Sequence, residues 1–200
     1  MMHGKIKSVR FQKKGADLLL EIEPMKSRII VFDRSINGSE EVLQMPALQE
    51  QMKESVEFEG EWKRSICESI HYPEFEKEKE VRLPDHLAEE EPEFSGFVRY
   101  ENYFTVSSGQ YAYFLEIMDA SEGVEVFVNG ISQGIQIVPV FRYDLTSSLK
   151  EGINYIRIEV ATTLERQMAQ IPDFFGNKKE SKALSGITGE VRLWKMVKDQ

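Results

Sequence analysis

Along most of the chain apolar and polar residues alternate singly, in short runs closed by Gly, Pro, Asn or Asp. Side chains on a strand point to opposite faces in turn, so a period of two predicts strands with one buried and one wet face. The clearest run covers 111–117, where Tyr111, Tyr113, Leu115 and Ile117 alternate with Ala112, Phe114 and Glu116. After the turn-forming stretch 119–123, Val124, Val126 and Val128 keep the pattern and Asn129-Gly130 ends it. An Asn-Gly pair accepts positive φ at both central positions of a type I′ turn, so Ile131 is predicted to open an antiparallel partner strand. From 97 to 106, Val98, Tyr100, Phe104 and Val106 share one side while Arg99, Glu101, Tyr103 and Thr105 share the other. Runs at 56–58, 81–83, 154–160 and 190–197 repeat the alternation, with Ile156, Ile158 and Val160 in the third and Val191 and Leu193 in the fourth. Nearer the amino terminus, Leu18, Leu20 and Ile22 precede Pro24 and the apolar run 28–32, which reads as a hairpin. Roughly eight to ten strands of this length suit two packed antiparallel sheets.

Helical signals are few. Leu164, Met168 and Ile171 fall at i, i+4 and i+7, with Thr163 placed to cap and Pro172 to stop one short helix. The stretch 39–54 is rich in helix formers but Pro46 interrupts it, so it reads as a connector. Residues 71–94 hold most of the acidic excess together with Pro73, Pro84 and Pro92, a composition that predicts an exposed loop.

Five segments in order carry a resemblance. Phe94-Ser-Gly-Phe-Val-Arg-Tyr-Glu-Asn-Tyr-Phe104, Glu125-Val-Phe-Val-Asn-Gly130 with Gly134, Pro139 to Thr146, Leu149 to Asn154 and Ser185 to Val191 together resemble the sugar-binding jelly rolls of glycoside hydrolases, as in family 2 and rhamnosidase-like enzymes. The likeness covers about residues 58–194. It departs from the family at Met118-Asp119-Ala120 and at Ala161-Thr162-Thr163. The pair 18–32 is similar to the strands that precede this jelly roll in multi-domain enzymes. The resemblance therefore implies an all-β, galactose-binding-domain-like jelly-roll β-sandwich with short helical connectors. Residues 1–45 would complete an upstream unit and residues 46–200 would form the jelly roll, the whole being a carboxy-terminal fragment of a larger enzyme. The catalytic acids of such an enzyme belong to a separate barrel, so this chain is expected not to be catalytic by itself. Its expected partners are carbohydrate and the catalytic domain of the parent enzyme.

Charge and residue chemistry narrow the picture further. With 25 Lys and Arg against 34 Asp and Glu, the net charge is −9. No basic cluster offers a grip on a phosphate backbone, so neither nucleic acid nor an anionic membrane is an expected partner. No apolar run approaches the roughly 20 residues needed to span a bilayer. Met1-Met2-His3-Gly4-Lys5 is not followed by an apolar segment, so a native start would mean a cytoplasmic chain, and a longer parent enzyme leaves export open. The single cysteine, Cys67, excludes an internal disulfide framework and reads as a small, half-buried apolar residue. His3, His71 and His86 lack metal-ligand spacing, and no nucleophile elbow or phosphate-binding glycine loop is present. No cofactor is expected; a structural calcium held by backbone carbonyls is allowed by the resemblance alone.

Sugar binding needs a flat aromatic face for the C–H surface of a pyranose and convergent polar groups for its hydroxyls. Trp62 at a strand start, Arg142 and Tyr143 at a strand end, and Phe174 after the short helix are candidate carbohydrate contacts on the rim. Tyr72 and Phe75 in the polar loop and Phe175 belong to the same set of aromatics. Arg99 joins them from the opposite face to Tyr100, free for a sugar hydroxyl or a partner carboxylate. For each aromatic the competing reading is a core or loop-anchoring side chain. Trp194 is expected to pack on a neighbouring strand or domain. A scaffold that packs on the catalytic barrel and binds no sugar is the alternative function.

Overall fold

The computed structural model describes residues 54–197 apart from Ser108. The hairpin expected at 18–32, the connector up to residue 53 and the expected division at residue 45 all lie outside the described residues. Ten strands follow in order: β1 (Glu54–Val56), β2 (Trp62–Glu68), β3 (Glu76–Val81), β4 (Gly96–Val106), β5 (Tyr111–Ile117), β6 (Gly123–Val128), β7 (Ile131–Gln136), β8 (Phe141–Asp144), β9 (Gly152–Ala161) and β10 (Val191–Val197). They form a four-stranded sheet, β1-β10-β5-β8, and a six-stranded sheet, β3-β2-β4-β9-β6-β7, with every pairing antiparallel. From β4 onward the chain crosses repeatedly between the sheets, and the result is the β-sandwich that the alternation predicts.

The core is built from the alternate positions. Val98, Tyr100 and Phe104 of β4, Val124, Val126 and Val128 of β6, and Ile156, Ile158 and Val160 of β9 are all fully buried on the inner face of the larger sheet. Leu115 and Ile117 of β5, Phe141 of β8 and Leu193 of β10 close the core from the other side. Each such side chain contributes about 1.5–3 kcal/mol of burial free energy, so the inner faces dominate the stability.

Turn chemistry sets the register. Asn129 and Gly130 have φ of 50° and 84°, and β7 opens at Ile131 as an Asn-Gly hairpin requires. Asn129 Nδ2 donates to Asn154 Oδ1 at 2.8 Å, and Asn154 Oδ1 also accepts from Lys150 N–H at 2.9 Å. Two asparagines thus tie the β6–β7 turn to the bend that begins β9. Thr146 Oγ1 accepts from Tyr113 N–H, holding the end of β8 against β5.

Two expectations are corrected. The acidic stretch 71–94 is not all loop: β3 runs through Glu76-Lys-Glu-Lys-Glu-Val81 as an edge strand of the larger sheet, and α1 (Leu87–Glu90) follows. Charged side chains suit a sheet edge, where they discourage pairing with another chain, so composition misled where position decides. The short helix exists as α2 (Glu165–Ala169), but Leu164, Met168 and Ile171 are all exposed, while Arg166 and Ala169 are buried. The reason lies in Arg166, whose guanidinium donates to the carbonyls of Ala183 and Pro92, the latter at 3.1 Å. Satisfying those carbonyls turns the helix so that its apolar stripe faces out.

A buried polar cluster links the edge of the larger sheet to the closing loop. Arg64 Nη1 donates to Asp85 Oδ1 at 2.8 Å and Arg64 Nη2 to Glu90 Oε2 at 2.6 Å. Tyr100 donates its hydroxyl to Asp85 Oδ2 at 2.5 Å and accepts from Ile187 N–H at 3.2 Å.

Candidate functional site

The outer face of the six-stranded sheet is where strand parity gathers polar and aromatic side chains. Register places Arg99 opposite Glu159, Glu159 opposite Glu125, Glu101 opposite Arg157 and Arg157 opposite Phe127. Glu159 is buried and fully engaged. Its Oε1 accepts from Arg99 Nε and Nη2 at 3.0 and 2.8 Å, and its Oε2 accepts from the Tyr72 hydroxyl at 2.9 Å. Phe75 covers the Arg99 guanidinium, with 3.7 Å from Cζ to the ring centroid. Burial, and after it the Glu159 carboxylate, raises the Tyr72 phenol above its ordinary pKa, so it stays a donor.

Beside this cluster an open depression of about 500 Å³ lies between the β1–β2 loop and strands β2, β3, β4 and β9. Tyr103 and Tyr155 form its aromatic part, with ring centroids 5.4 Å apart and planes at 47°. Lys63, Glu61, Glu78 and Glu101 supply hydrogen-bonding groups around them. The Tyr155 hydroxyl donates to Glu101, and burial together with that carboxylate holds the phenol above its ordinary pKa. Tyr103 is half exposed, so its ring is open to a ligand.

The five residues singled out from sequence do not form one site. Trp62 is a core residue, packed on Phe58 with centroids 4.7 Å apart, and has no free ring face at the rim. Tyr143 is buried too, and its hydroxyl donates to Val124 O at 2.7 Å. Both correct the expectation of rim aromatics: each occupies an inward position of its strand, beyond the loop residues that suggested exposure. Arg142 points from β8 of the other sheet and donates to Glu116 Oε1 at 2.9 Å. Trp194 donates from Nε1 to the second oxygen of Glu116, at 2.7 Å, and so packs on a neighbouring strand. Phe174 is 95% exposed on the loop after α2. Only Arg99 stands on the sheet face with Tyr72 and Phe75. Arg157, Glu159, Phe127, Tyr103 and Tyr155 lie outside the sequence-based set, although alternation with Ile156, Ile158, Val126 and Phe104 marks their outer face.

A second surface is apolar. Leu164, Met168, Ile171, Phe174 and Phe175 are all exposed along 164–175, Phe175 at 83%. Asp173 shapes the tip: its Oδ1 accepts from Phe175 and Asn177 N–H, both at 2.9 Å, and the two phenylalanine rings meet edge to face.

Among the described residues no group of three or more His, Cys, Asp or Glu side chains is arranged to hold a metal, and no helix is long and apolar enough to cross a membrane.

No family model and no curated protein matches the chain. Solved structures do. The rhamnosidase from Novosphingobium sp. PP1Y matches with a TM-score of 0.55 and 20% identity over 72% of this chain and 15% of its own. The Bifidobacterium dentium β-glucuronidase matches at 0.56 and 17%, over 74% of this chain and 31% of its own. A putative β-galactosidase from Bacteroides fragilis matches at 0.56 and 17%, over 73% and 24%. At these identities the likeness is one of fold. The chain spans less than a third of the length of these glycoside hydrolases.

Proposed function

We propose that the chain is a non-catalytic part of a multi-domain glycoside hydrolase, that residues 46–200 are its accessory domain, and that this domain contacts glycan. In this reading residues 1–45 complete an upstream unit. The fold likeness to minor portions of glycoside hydrolases supports the parent class. The observation that carries the glycan contact is the depression floored by Tyr103 and Tyr155. An open tyrosine ring meets the C–H face of a pyranose, while Lys63 donates to hydroxyl oxygens and the glutamates accept from hydroxyl protons. The contact thus lies on the sheet face and not on the rim loops that the sequence suggested.

Isotope-edited NMR of the full chain, titrated with millimolar neutral oligosaccharides, tests the reading. Resonances of Tyr103 and Tyr155 should shift, and Tyr103→Ala should abolish the response while leaving the circular dichroism unchanged. A titration in which no sugar moves any resonance on this face would refute it.

The apolar arm 164–175 favours a second reading, a scaffold that packs on the catalytic domain. Isolated from that domain, the chain should self-associate in sedimentation velocity, and Phe174→Ser with Phe175→Ser should return it to a monomer. A monomeric parent chain at high concentration argues against this reading.

A further inference from the structure

We propose that Arg157 is the polar specificity determinant of the glycan contact, its guanidinium fork reading two adjacent hydroxyls of a neutral sugar. This rests on the glycan-contacting reading of the outer sheet face.

The starting point is an imbalance. Every other described arginine donates at least one hydrogen bond: Arg64, Arg82, Arg99, Arg142, Arg166 and Arg192 all have protein acceptors. Arg157 donates none. Its Nε forms an ion pair with Glu159 Oε1 at 3.3 Å without hydrogen-bond geometry, and that nitrogen is buried with no hydrogen-bond partner. The guanidinium instead stacks on Phe127, with 4.0 Å from Cζ to the ring centroid. The side chain keeps 27% exposure, all of it away from the dry Nε. A guanidinium carries five N–H donors in a rigid fork, and one held over an aromatic ring on one side and ion-paired at Nε, with no hydrogen bond made, is preorganised for a ligand that brings its own acceptors.

The neighbours decide which ligand. Glu101 and Phe127 flank Arg157 across the sheet, and Tyr155 and Glu159 flank it along β9. Glu101 accepts from Tyr155, Glu125 accepts from Ser132 at 2.6 Å, and Glu159 is shared by Arg99 and Tyr72. Each exposed carboxylate retains lone pairs, since an ionised carboxylate offers about four acceptor sites. A sugar hydroxyl accepts from the fork and donates to Glu101 or Glu125 in the same pose. A uronate carboxylate only accepts, and on this face Arg99, Arg157 and Lys63 are outnumbered by Glu61, Glu78, Glu80, Glu101, Glu125 and Glu159, so the local field repels it. Tyr103 and Tyr155, contiguous with Arg157 on this face, supply the apolar contact for the ring or for a following sugar unit.

Replacing Arg157 gives up its ion pair with Glu159 and its contact with the Phe127 ring but no hydrogen bond, and Glu159 keeps Arg99 and Tyr72 as partners. The test titrates the full chain and its Arg157→Met and Arg157→Lys variants with lactose, cellobiose and methyl glucuronide, following the Phe127 and Tyr155 resonances and the thermal midpoint. The expected result is a response to a neutral disaccharide that weakens about tenfold in both variants while each stays folded, with at most a small fall in the midpoint from the lost ion pair and ring contact, since a lysine is a point charge and not a fork. Neutral-sugar binding that survives Arg157→Met overturns the proposal while leaving the glycan-contacting role intact, as does tighter binding of methyl glucuronide than of the disaccharides. A chain that binds none of the three overturns the proposal and the broader role together.

Discussion

Replacing Asp85 by alanine should remove a large part of the domain's stability, although Asp85 lies in a segment whose composition reads as loop. The Asp85 and Arg64 side chains are only 3% and 5% exposed. Asp85 accepts three hydrogen bonds, from Arg64 Nη1 at 2.8 Å, Tyr100 Oη at 2.5 Å and His86 N–H at 2.8 Å. Deleting the carboxylate leaves a buried guanidinium held only by Glu90 at the surface, and breaking a buried pair from one side costs about 3–5 kcal/mol. The stranded Tyr100 hydroxyl adds to this, but it belongs to the same network, so the terms do not sum and about 4 kcal/mol is the expected loss. Urea unfolding followed by tryptophan fluorescence measures it, and the thermal midpoint should fall by about 10 °C. Removing both charges with Arg64→Met and Asp85→Leu should be milder than Asp85→Ala alone, because no unpaired charge then remains inside. A loss below about 1 kcal/mol for Asp85→Ala, or a double variant worse than the single one, would refute the reasoning.

Other outcomes follow from the same geometry. Burial and the Asp85 carboxylate raise the Tyr100 pKa well above 10.0, and burial raises Tyr143 as well. Groups whose pKa is higher folded than unfolded stabilise below the unfolded value, so stability should decline as pH rises past about 10, with part of the phenolate absorbance at 295 nm appearing only on unfolding. A smooth titration of all tyrosines in the folded chain would contradict this. In acid the sign reverses for Glu90, whose carboxyl is lowered from 4.5 to about 2 by hydrogen bonds from Arg64 and then Lys79. Its share of stability is present above pH 4.5 and lost as pH falls toward 2; the side chain is 37% exposed, so Glu90→Gln should cost under about 1 kcal/mol in urea unfolding at neutral pH. At Gly186, with φ of 76°, an added Cβ would lie 2.1 Å from the Tyr100 hydroxyl, so Gly186→Ala should destabilise by more than about 2 kcal/mol in the same assay.

Much of the sandwich was legible because burial and parity coincide in it. Val98, Tyr100 and Phe104, or Ile156, Ile158 and Val160, announce an inner face without any tertiary knowledge, and Asn129-Gly130 announces its turn. The charged edge strand β3 was illegible by the same rule: with no apolar inner row until Val81, only its hydrogen bonds to β2 make it a strand. The helix at 165–169 shows the opposite failure. Its apolar spacing is real, yet Arg166 takes the inward side because carbonyls of residues distant in sequence await a donor there. The candidate site was missed for a related reason. Trp62 and Tyr143 stand out in the sequence as aromatics near strand ends, whereas Arg157 and Tyr155 sit in an ordinary polar row, and only the register with β4 and β6 brings Glu101 and Phe127 to their sides.

The place of β10 in its sheet has a consequence for biosynthesis. Residues 191–197 lie between β1 and β5, so the smaller sheet has no middle until the last of these residues leaves the ribosome. Until then one edge of β5 is unpaired and Leu115, in the apolar row from Tyr113 to Ile117, lacks its cross-strand neighbour Leu193. Unpaired strand edges of nascent chains are sites of mispairing, so this is the interval in which the protein would most need a chaperone. A ribosome stalled before residue 191 should hold a protease-sensitive chain, and one stalled on an added carboxy-terminal linker long enough to bring residue 197 out of the exit tunnel a resistant one.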